Sequence, residues 1–513
     1  MQVNTLIKKI PLSLSPIDSY KRTCQLGRKA DTVLLETAEA ASHANQKSII
    51  GISSAVKIKS IDDIVEISAL NDNGKAFLKS FDTEAIQEFT FEVSPQKIIA
   101  KLKPQPPVYD EELRLVQASS LDILKSIKQQ LVASAQDNES TYLLGAFSFD
   151  LVDQFEVLPT INKPDEDYVF YLADTLLIQS LNSNSAQIIV KGFGEYAAHN
   201  IHLGLQIEQV EKLLRIPSES YQALNQSSCV QVSISDRDFM QQVNEGKESI
   251  LRGDVFQVVL SRNYQMDCQQ PLQAYENLRT SNPSPYMYFI NFSDKQLFGA
   301  SPESALKVDA NKEVSLYPIA GTRKRAIINE QIDHEHDSLI EYELIDDEKE
   351  SAEHMMLLDL ARNDIARVVE YGTRKVTQLK KIVKYSHVMH LVSEVKGKLR
   401  SDLDPIDAYK ACSNMGTLTG APKIKAMHLI RKFEKNGRGL YGGAVAAINA
   451  NNEFDSAIII RSAVVKDGTA KITAGAGVVY DSVAELEALE TQNKAQAVIN
   501  ACLASIKLKD VAA

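Results

Sequence analysis

The sequence contains no tryptophan, so any indole emission from a preparation would come from a bound molecule and not from the chain. Cysteine is scarce as well. Cys24, Cys229, Cys268, Cys412 and Cys502 are odd in number, scattered and never spaced as C-x-x-C, which speaks against a disulfide framework and against a zinc site. No apolar run reaches membrane-spanning length, and the best candidate, 457–465, is broken by Arg461. Lys8 and Lys9 are not followed by an apolar core of signal-peptide length, so the cytoplasm is the expected compartment. Low-complexity tracts and internal repeats are missing. An excess of positive charge is missing too: a formal charge of −11 argues against a nucleic-acid or anionic-membrane surface. What is there is ordinary for a soluble globular protein, with 44% apolar and 24% charged residues, and 513 residues suffice for more than one domain.

Residues 49–52, 55–58, 142–149 and 168–180 are rich in β-branched and aromatic side chains and read as strands. A turn at 182–184 leads into a further strand at 186–190, and Leu203, Ile207, Val210 and Leu214 recur at helical spacing. The composition then turns polar from 217 to 235. The expected organisation is therefore an N-terminal region 1–216, a linker 217–237, a second region 238–500 and a tail 501–513. The second region opens with Phe239, Val243, Ile250 and Leu251 on a helix that stops at Gly253, followed by a strand at 255–261. Helices and strands then mix without a regular βαβ period, which predicts an α+β fold.

The most informative stretch is Gly475-Ala476-Gly477-Val478-Val479-Tyr480-Asp481-Ser482. A glycine pair after an alternating apolar run exposes backbone N–H groups to a small anion. The next helix sets Glu487 and Glu490 three residues apart on one face, and Glu350 and Glu353 repeat that spacing on a second helix. Acidic helix faces are often merely solvated; two pairs beside a glycine nest suit a hard divalent ion holding an anionic small molecule. Gln257 lies within an apolar strand, either as a core amide satisfied by backbone or as a site wall. His390 alternates with Met389 and Leu391, either structural or poised for proton transfer. Gly416-Thr417-Leu418-Thr419-Gly420-Ala421-Pro422-Lys423 lacks phosphate-loop spacing, and Pro422 reads as a first-turn helix residue after a threonine cap. The Gly475-x-Gly477 pair lacks the third glycine of a dinucleotide fingerprint.

Together with Gly253-Asp254-Val255-Phe256-Gln257, Pro283-Ser284-Pro285-Tyr286-Met287, Gly299-Ala300-Ser301-Pro302-Glu303, Pro318-Ile319-Ala320-Gly321-Thr322-Arg323, Asp359-Leu360-Ala361-Arg362-Asn363-Asp364, Tyr441-Gly442-Gly443 and Ile460-Arg461-Ser462-Ala463, these segments resemble the chorismate-utilising enzymes over nearly the whole chain. Within that family the resemblance is to the large subunits of anthranilate synthases. It implies a β-sandwich of two packed antiparallel sheets with helices outside, and a catalytic site in region 238–500. It also implies conversion of chorismate and ammonia to anthranilate, pyruvate and water. By resemblance Mg²⁺ is held directly by Glu353 and Glu490 and through water by Glu350 and Glu487. Gly475, Ala476 and Gly477 would offer N–H groups to a substrate carboxylate, Arg461 and Tyr441 would hold the enolpyruvyl carboxylate, and Gly321 and Thr322 would line the ring pocket. Glu303 would protonate the leaving hydroxyl, and His390, supported by Thr417, would serve pyruvate elimination. Family members that add water carry lysine at the Gln257 position, and aminodeoxychorismate synthases usually carry lysine at the Ala320 position. Both residues here favour anthranilate over that runner-up, and the full catalytic set speaks against a silent amino-acid-binding regulator on the same scaffold.

The resemblance also implies feedback control by tryptophan. Leu34-Leu35-Glu36-Thr37 is similar to a Leu-Leu-Glu-Ser element that binds the inhibitor, with threonine here for serine, and Asn282, Pro285, Tyr286 and Met287 would complete that pocket. No cysteine sits in the glycine-flanked turn of a glutamine amidotransferase, so ammonia is expected from a separate amidotransferase subunit in a hetero-oligomer, a heterotetramer in many relatives.

Overall fold

The computed structural model describes residues 1–38, 47–106, 108, 110–132, 139–180, 183–221, 229–328, 331–385 and 388–506. The expected turn residue Asn182, the middle of the linker at 222–228, residues 386–387 and the tail from 507 lie outside the described residues.

Two antiparallel sheets share a pair of long bent strands, Lys47–Ile61 and Tyr168–Ser180. The runs 49–52 and 55–58 are thus one strand, and register shifts between Gly51 and Val56 mark where it passes from one sheet to the other. The first sheet runs outward from its halves through Ile64–Ala69, Lys97–Leu102 and Phe89–Val93 on one side. On the other side follow Tyr142–Phe147, Ala444–Asn449, Phe454–Ile458, Ser304–Val308, Glu313–Leu316 and Val388–Lys398, the last also pairing with Ile319–Lys324 and Lys375–Lys384. The second sheet carries Ser185–Phe193 and Val3–Pro11 on one side, and Thr32–Glu36, Tyr286–Asn291, Gln296–Ser301, Ser462–Lys466, Thr469–Val478 and Gln257–Asp267 on the other. Strands from before residue 216 and after residue 257 sit side by side in both sheets.

Three apolar layers follow from strand alternation. Val33, Leu144, Val169, Tyr288, Ile290 and Val445 come from both sheets and fill the space between them. The outer face of the first sheet packs against helices Asp72–Ser80, Leu121–Val132, Glu348–Ala366 and Pro405–Cys412. The outer face of the second packs against Pro16–Thr23, Asn200–Arg215, Pro271–Ser281 and Ala484–Ala504. This is the expected α+β sandwich with helices outside. No described helix is long and apolar enough to cross a membrane.

Two local expectations are corrected. The Gly475-Ala476-Gly477 segment does not follow the apolar alternating run but ends the same strand, Thr469–Val478, where it pairs with Ser261, Leu260 and Val259. Pro422 is the N-cap of helix Lys423–Glu434 rather than part of its first turn, and Thr419 instead donates its hydroxyl to the Met415 carbonyl at 3.0 Å.

Candidate active site

In an antiparallel ladder, alternate residues turn their N–H and C=O away from the partner strand. Val259 N–H goes to the Thr419 carbonyl and Ser261 N–H to the Glu434 carboxylate, so their partners Gly477 and Gly475 also point outward. Gly475 N–H faces the Tyr441 hydroxyl oxygen, and its carbonyl accepts Lys494 Nζ at 2.9 Å. Ala476 N–H, by the same alternation, belongs to the ladder with Leu260, so the expected three-donor nest reduces to two. A Cβ at Gly477 would stand 2.6 Å from Gln257 Nε2 and would push that amide aside.

Gln257 is the first residue of its strand and is buried. Its Nε2 donates to Glu353 Oε1 at 3.2 Å, and among the described residues the amide has no backbone bond and Oε1 no partner. Glu353 lies on helix Glu348–Ala366, whose N-cap Asp347 accepts from Glu350 N–H. The facing helix Ala484–Ala504 supplies Glu487 and Glu490. Arg262, fully buried, fixes that helix: Nε donates to Thr491 and Nη2 to the Ala488 carbonyl, both at 2.8 Å, while Nη1 pairs with Asp236.

The four carboxylates do not converge. Among the described residues no three acidic, histidine or cysteine side chains form a ready metal-ligand set. Each has found another neighbour: Glu350 takes Arg323 at 2.9 Å, Glu353 takes Gln257, Glu490 takes Lys494 at 2.5 Å, and Glu487 takes Ser482. The charge nevertheless suits a cation. Burial and the charges of Glu350 and Glu490 hold Glu353 above the usual carboxylate range. Burial raises Glu487 too, and its Oε2 is buried without a partner. An all-oxygen set under mutual repulsion fits a hard divalent ion.

On the opposite wall Arg461 holds φ at 49°, a left-handed conformation that a non-glycine residue adopts at a cost of about 1–3 kcal/mol. Burial pulls its pKa down, while the neighbouring Tyr441 and Glu490 favour its charge. Among the described residues its guanidinium has no hydrogen bond or ion pair, which leaves a buried cation that a carboxylate would satisfy. Behind it Arg438, also buried, pairs with Glu434, donates to the Leu418 and Val259 carbonyls and lies over the Tyr441 ring. His390 sits on strand Val388–Lys398; its Nδ1 lies 3.0 Å from the Thr322 hydroxyl and 3.4 Å from the Gly321 carbonyl. Burial pushes His390 down to about 4, with the Gly321 hydrogen bond opposing and Arg461 assisting, so the ring is neutral at pH 7. Gly321 holds φ at 68°, and a Cβ there would meet Glu350 Oε2 at 3.2 Å. Thr417 does not support His390. Its hydroxyl donates to Glu303 Oε1 at 3.0 Å, so it accompanies the acid instead. Burial drives Glu303 up to about 8, with Thr417 and Lys494 pulling the other way.

A buried neutral acid, a neutral imidazole, an unpaired guanidinium and the glutamates of two helices are thus within electrostatic reach of one another: Arg461 acts on His390, Glu490 on Arg461, and Lys494 on both Glu303 and Glu353. The chorismate binding enzyme family matches residues 87–500. The chain belongs to this family. Among its relatives, anthranilate synthase component 1 of Vibrio parahaemolyticus is 43% identical over 509 residues, covering 98% of this chain and 94% of that protein. The protein of the same name from Escherichia coli K12 is 41% identical over 493 residues, covering 95% and 94%. Of solved structures, anthranilate synthase component I from Streptococcus pneumoniae superposes with a TM-score of 0.70 at 29% identity, covering 89% of this chain and 93% of that one. The menaquinone-specific isochorismate synthase MenF of Escherichia coli reaches 0.70 at 15% identity, a likeness of fold.

This chorismate-binding enzyme also carries a second cavity of about 420 Å³, lined by Glu36, Thr37, Tyr286 and Met287. Pairing of Met287 with Glu36 brings the two segments together across adjacent strands. Asn282 and Pro285 are not in its wall; Asn282 caps helix Pro271–Ser281 and Pro285 precedes the strand. Lys47 and Asp455 also face this cavity, and Tyr286 donates to Asp455 at 3.2 Å. These two, with Arg438 and Lys494, escaped sequence reasoning. Only Lys494 carried a local signal, four residues after Glu490 on one helix face.

Proposed function

We propose that the chain is the chorismate-converting subunit of an anthranilate synthase, taking chorismate and ammonia to anthranilate, pyruvate and water. The observation that carries this reading is the neutral amide of Gln257 against Glu353, where a water-adding relative would place a lysine base. Ammonia arrives as a nucleophile and needs no such base. Ala320, on the strand Ile319–Lys324, has no amine to attack the ring, which disfavours the aminodeoxychorismate route.

In the amination step Glu303 gives its proton to the departing ring hydroxyl, a task suited to a carboxyl kept protonated by burial. Arg461 and the Tyr441 hydroxyl hold the enolpyruvyl carboxylate, with the outward N–H of Gly477 close by. Gly321 and Thr322 line the ring, and Thr322 orients His390 through Nδ1. Neutral His390 then takes the ring proton as pyruvate leaves and the ring becomes aromatic. Mg²⁺, held by Glu353 and Glu490 with Glu350 and Glu487 through water, would supply positive charge to the ring carboxylate.

Tryptophan is the proposed feedback inhibitor. The second cavity offers an apolar wall with Lys47 and Asp455 for the two charges of an amino acid. In this division of labour region 1–216 brings the regulatory element, 238–500 the catalytic set, with 217–237 linking them and 501–513 as the tail. Cys24, Cys268, Cys412 and Cys502 are buried and the exposed Cys229 has no glycine beside it, which supports a separate glutamine amidotransferase as ammonia source. Incubation with chorismate, Mg²⁺ and an ammonium salt should give anthranilate fluorescence with one pyruvate per turnover; isochorismate or aminodeoxychorismate as the end product would sink the reading.

A further inference from the structure

We propose that a chamber beside Glu303 and Thr417 receives the water expelled in the amination step and carries the proton that recharges Glu303, an inference that rests on the function proposed above. The Asp359-Leu360-Ala361-Arg362-Asn363-Asp364 segment has no part in the chemistry assigned so far. The structure gives it a place: Leu360, Ala361 and Asp364 line a cavity of about 40 Å³ together with Glu303, Thr417 and Tyr317. A water needs about 10–15 Å³ on the same measure and two to four polar partners, so one or two molecules fit, against a carboxyl, hydroxyls and a carboxylate. The cavity is not sealed. Leu360 and Asp364 also line an outer cavity of about 520 Å³ that includes the exposed Asn363, so these two side chains stand between the two spaces and, on this proposal, form the neck. Asp364 is held at that neck by Lys423 Nζ at 2.7 Å.

The chemistry requires such a space. When the ring C–O bond breaks, its electron pair goes to oxygen, and the Glu303 O–H bond breaks as its proton joins that oxygen to make water. Ammonia nitrogen forms the new C–N bond and sheds one proton, which balances the proton Glu303 has lost. One water must leave and one proton must return each turnover. The chamber touches both the acid and its hydroxyl partner.

Ala361 faces the chamber from the buried side of its helix and takes no part in binding or proton transfer. Ala361→Leu should fill the space, and Ala361→Val should fill it partly. The amination step, read as chorismate consumed by the full-length chain with Mg²⁺ and ammonium, should fall at least tenfold with leucine and less with valine. Pyruvate elimination, read by supplying the aminated non-aromatic intermediate, should stay within twofold, as should KM for chorismate. Folded variants that run both steps at wild-type rates overturn the proposal, and so do equal losses in both steps. A wild-type chain that makes no anthranilate overturns the amination reading itself, a result distinguishable from either.

Discussion

At the scale of single residues the site depends on two groups kept neutral by burial. Glu303 is raised from an ordinary 4.5 to about 8, so the folded chain keeps a proton that the unfolded chain has released. The folded state therefore binds more protons between those values, and this group's contribution to stability falls as pH rises from 4.5 to 8, at roughly 1.4 kcal/mol per pH unit at most. Glu303→Gln should flatten that slope in denaturant titrations across the window while abolishing amination. In the wild type, amination at a fixed concentration of free ammonia should fade above about pH 8 as the acid ionises; a rate still rising well beyond that pH under the same condition contradicts the assignment. His390 behaves oppositely, since burial lowers it to about 4 and it remains a neutral base down to that pH. His390→Met should spare amination and stop elimination, so an aminated, non-aromatic intermediate should accumulate. Equal loss of both steps would instead make the imidazole structural.

At the scale of elements the site is the meeting of two helices with two strand ends. Glu353→Gln or Glu490→Gln should remove most activity while thermal unfolding stays close to wild type; full activity in both, with no response to added Mg²⁺, would refute the carboxylate cluster as a cation site. Arg262 holds helix Ala484–Ala504 to the strand Gln257–Asp267 through charge-assisted bonds to Thr491 and the Ala488 carbonyl, worth about 1.5–3 kcal/mol each. Arg262→Leu should therefore lower stability by about 3 kcal/mol or more in urea titration and weaken Mg²⁺ activation by displacing Glu487 and Glu490. Much of this element structure was legible. The strand at 168–180, the helix through Leu203 to Leu214 and both carboxylate pairs follow from short-range periodicity, which needs no tertiary information. What was not legible depends on partners distant in sequence. Gly475-Ala476-Gly477 reads as three bare N–H donors until Ser261, Leu260 and Val259 pair with it, and only that pairing shows that Ala476 faces the ladder. Thr417 stands next to Glu303 rather than His390 because strand order, not spacing, sets the neighbours.

At the scale of the molecule both sheets interleave strands from the two halves of the chain, and the cavity at Glu36 and Tyr286 is built where such strands touch. A ligand bound there would favour one arrangement of those strands, and the active site would respond through the shared sheet. Tryptophan should inhibit, and its indole should be the sole red-edge emitter because the chain has none. Thr37→Phe or Met287→Thr should weaken inhibition far more than catalysis; undiminished activity in saturating tryptophan would remove the regulatory role alone. Glutamine should not support turnover by the isolated chain. The central claim is that ammonia, not water, attacks chorismate in a cleft whose wall presents Gln257. It is tested most directly by mass spectrometry of the products formed from chorismate in ¹⁵N-ammonium buffer with Mg²⁺. The account predicts ¹⁵N-labelled anthranilate with an equal amount of pyruvate; a nitrogen-free product such as isochorismate or salicylate would contradict it.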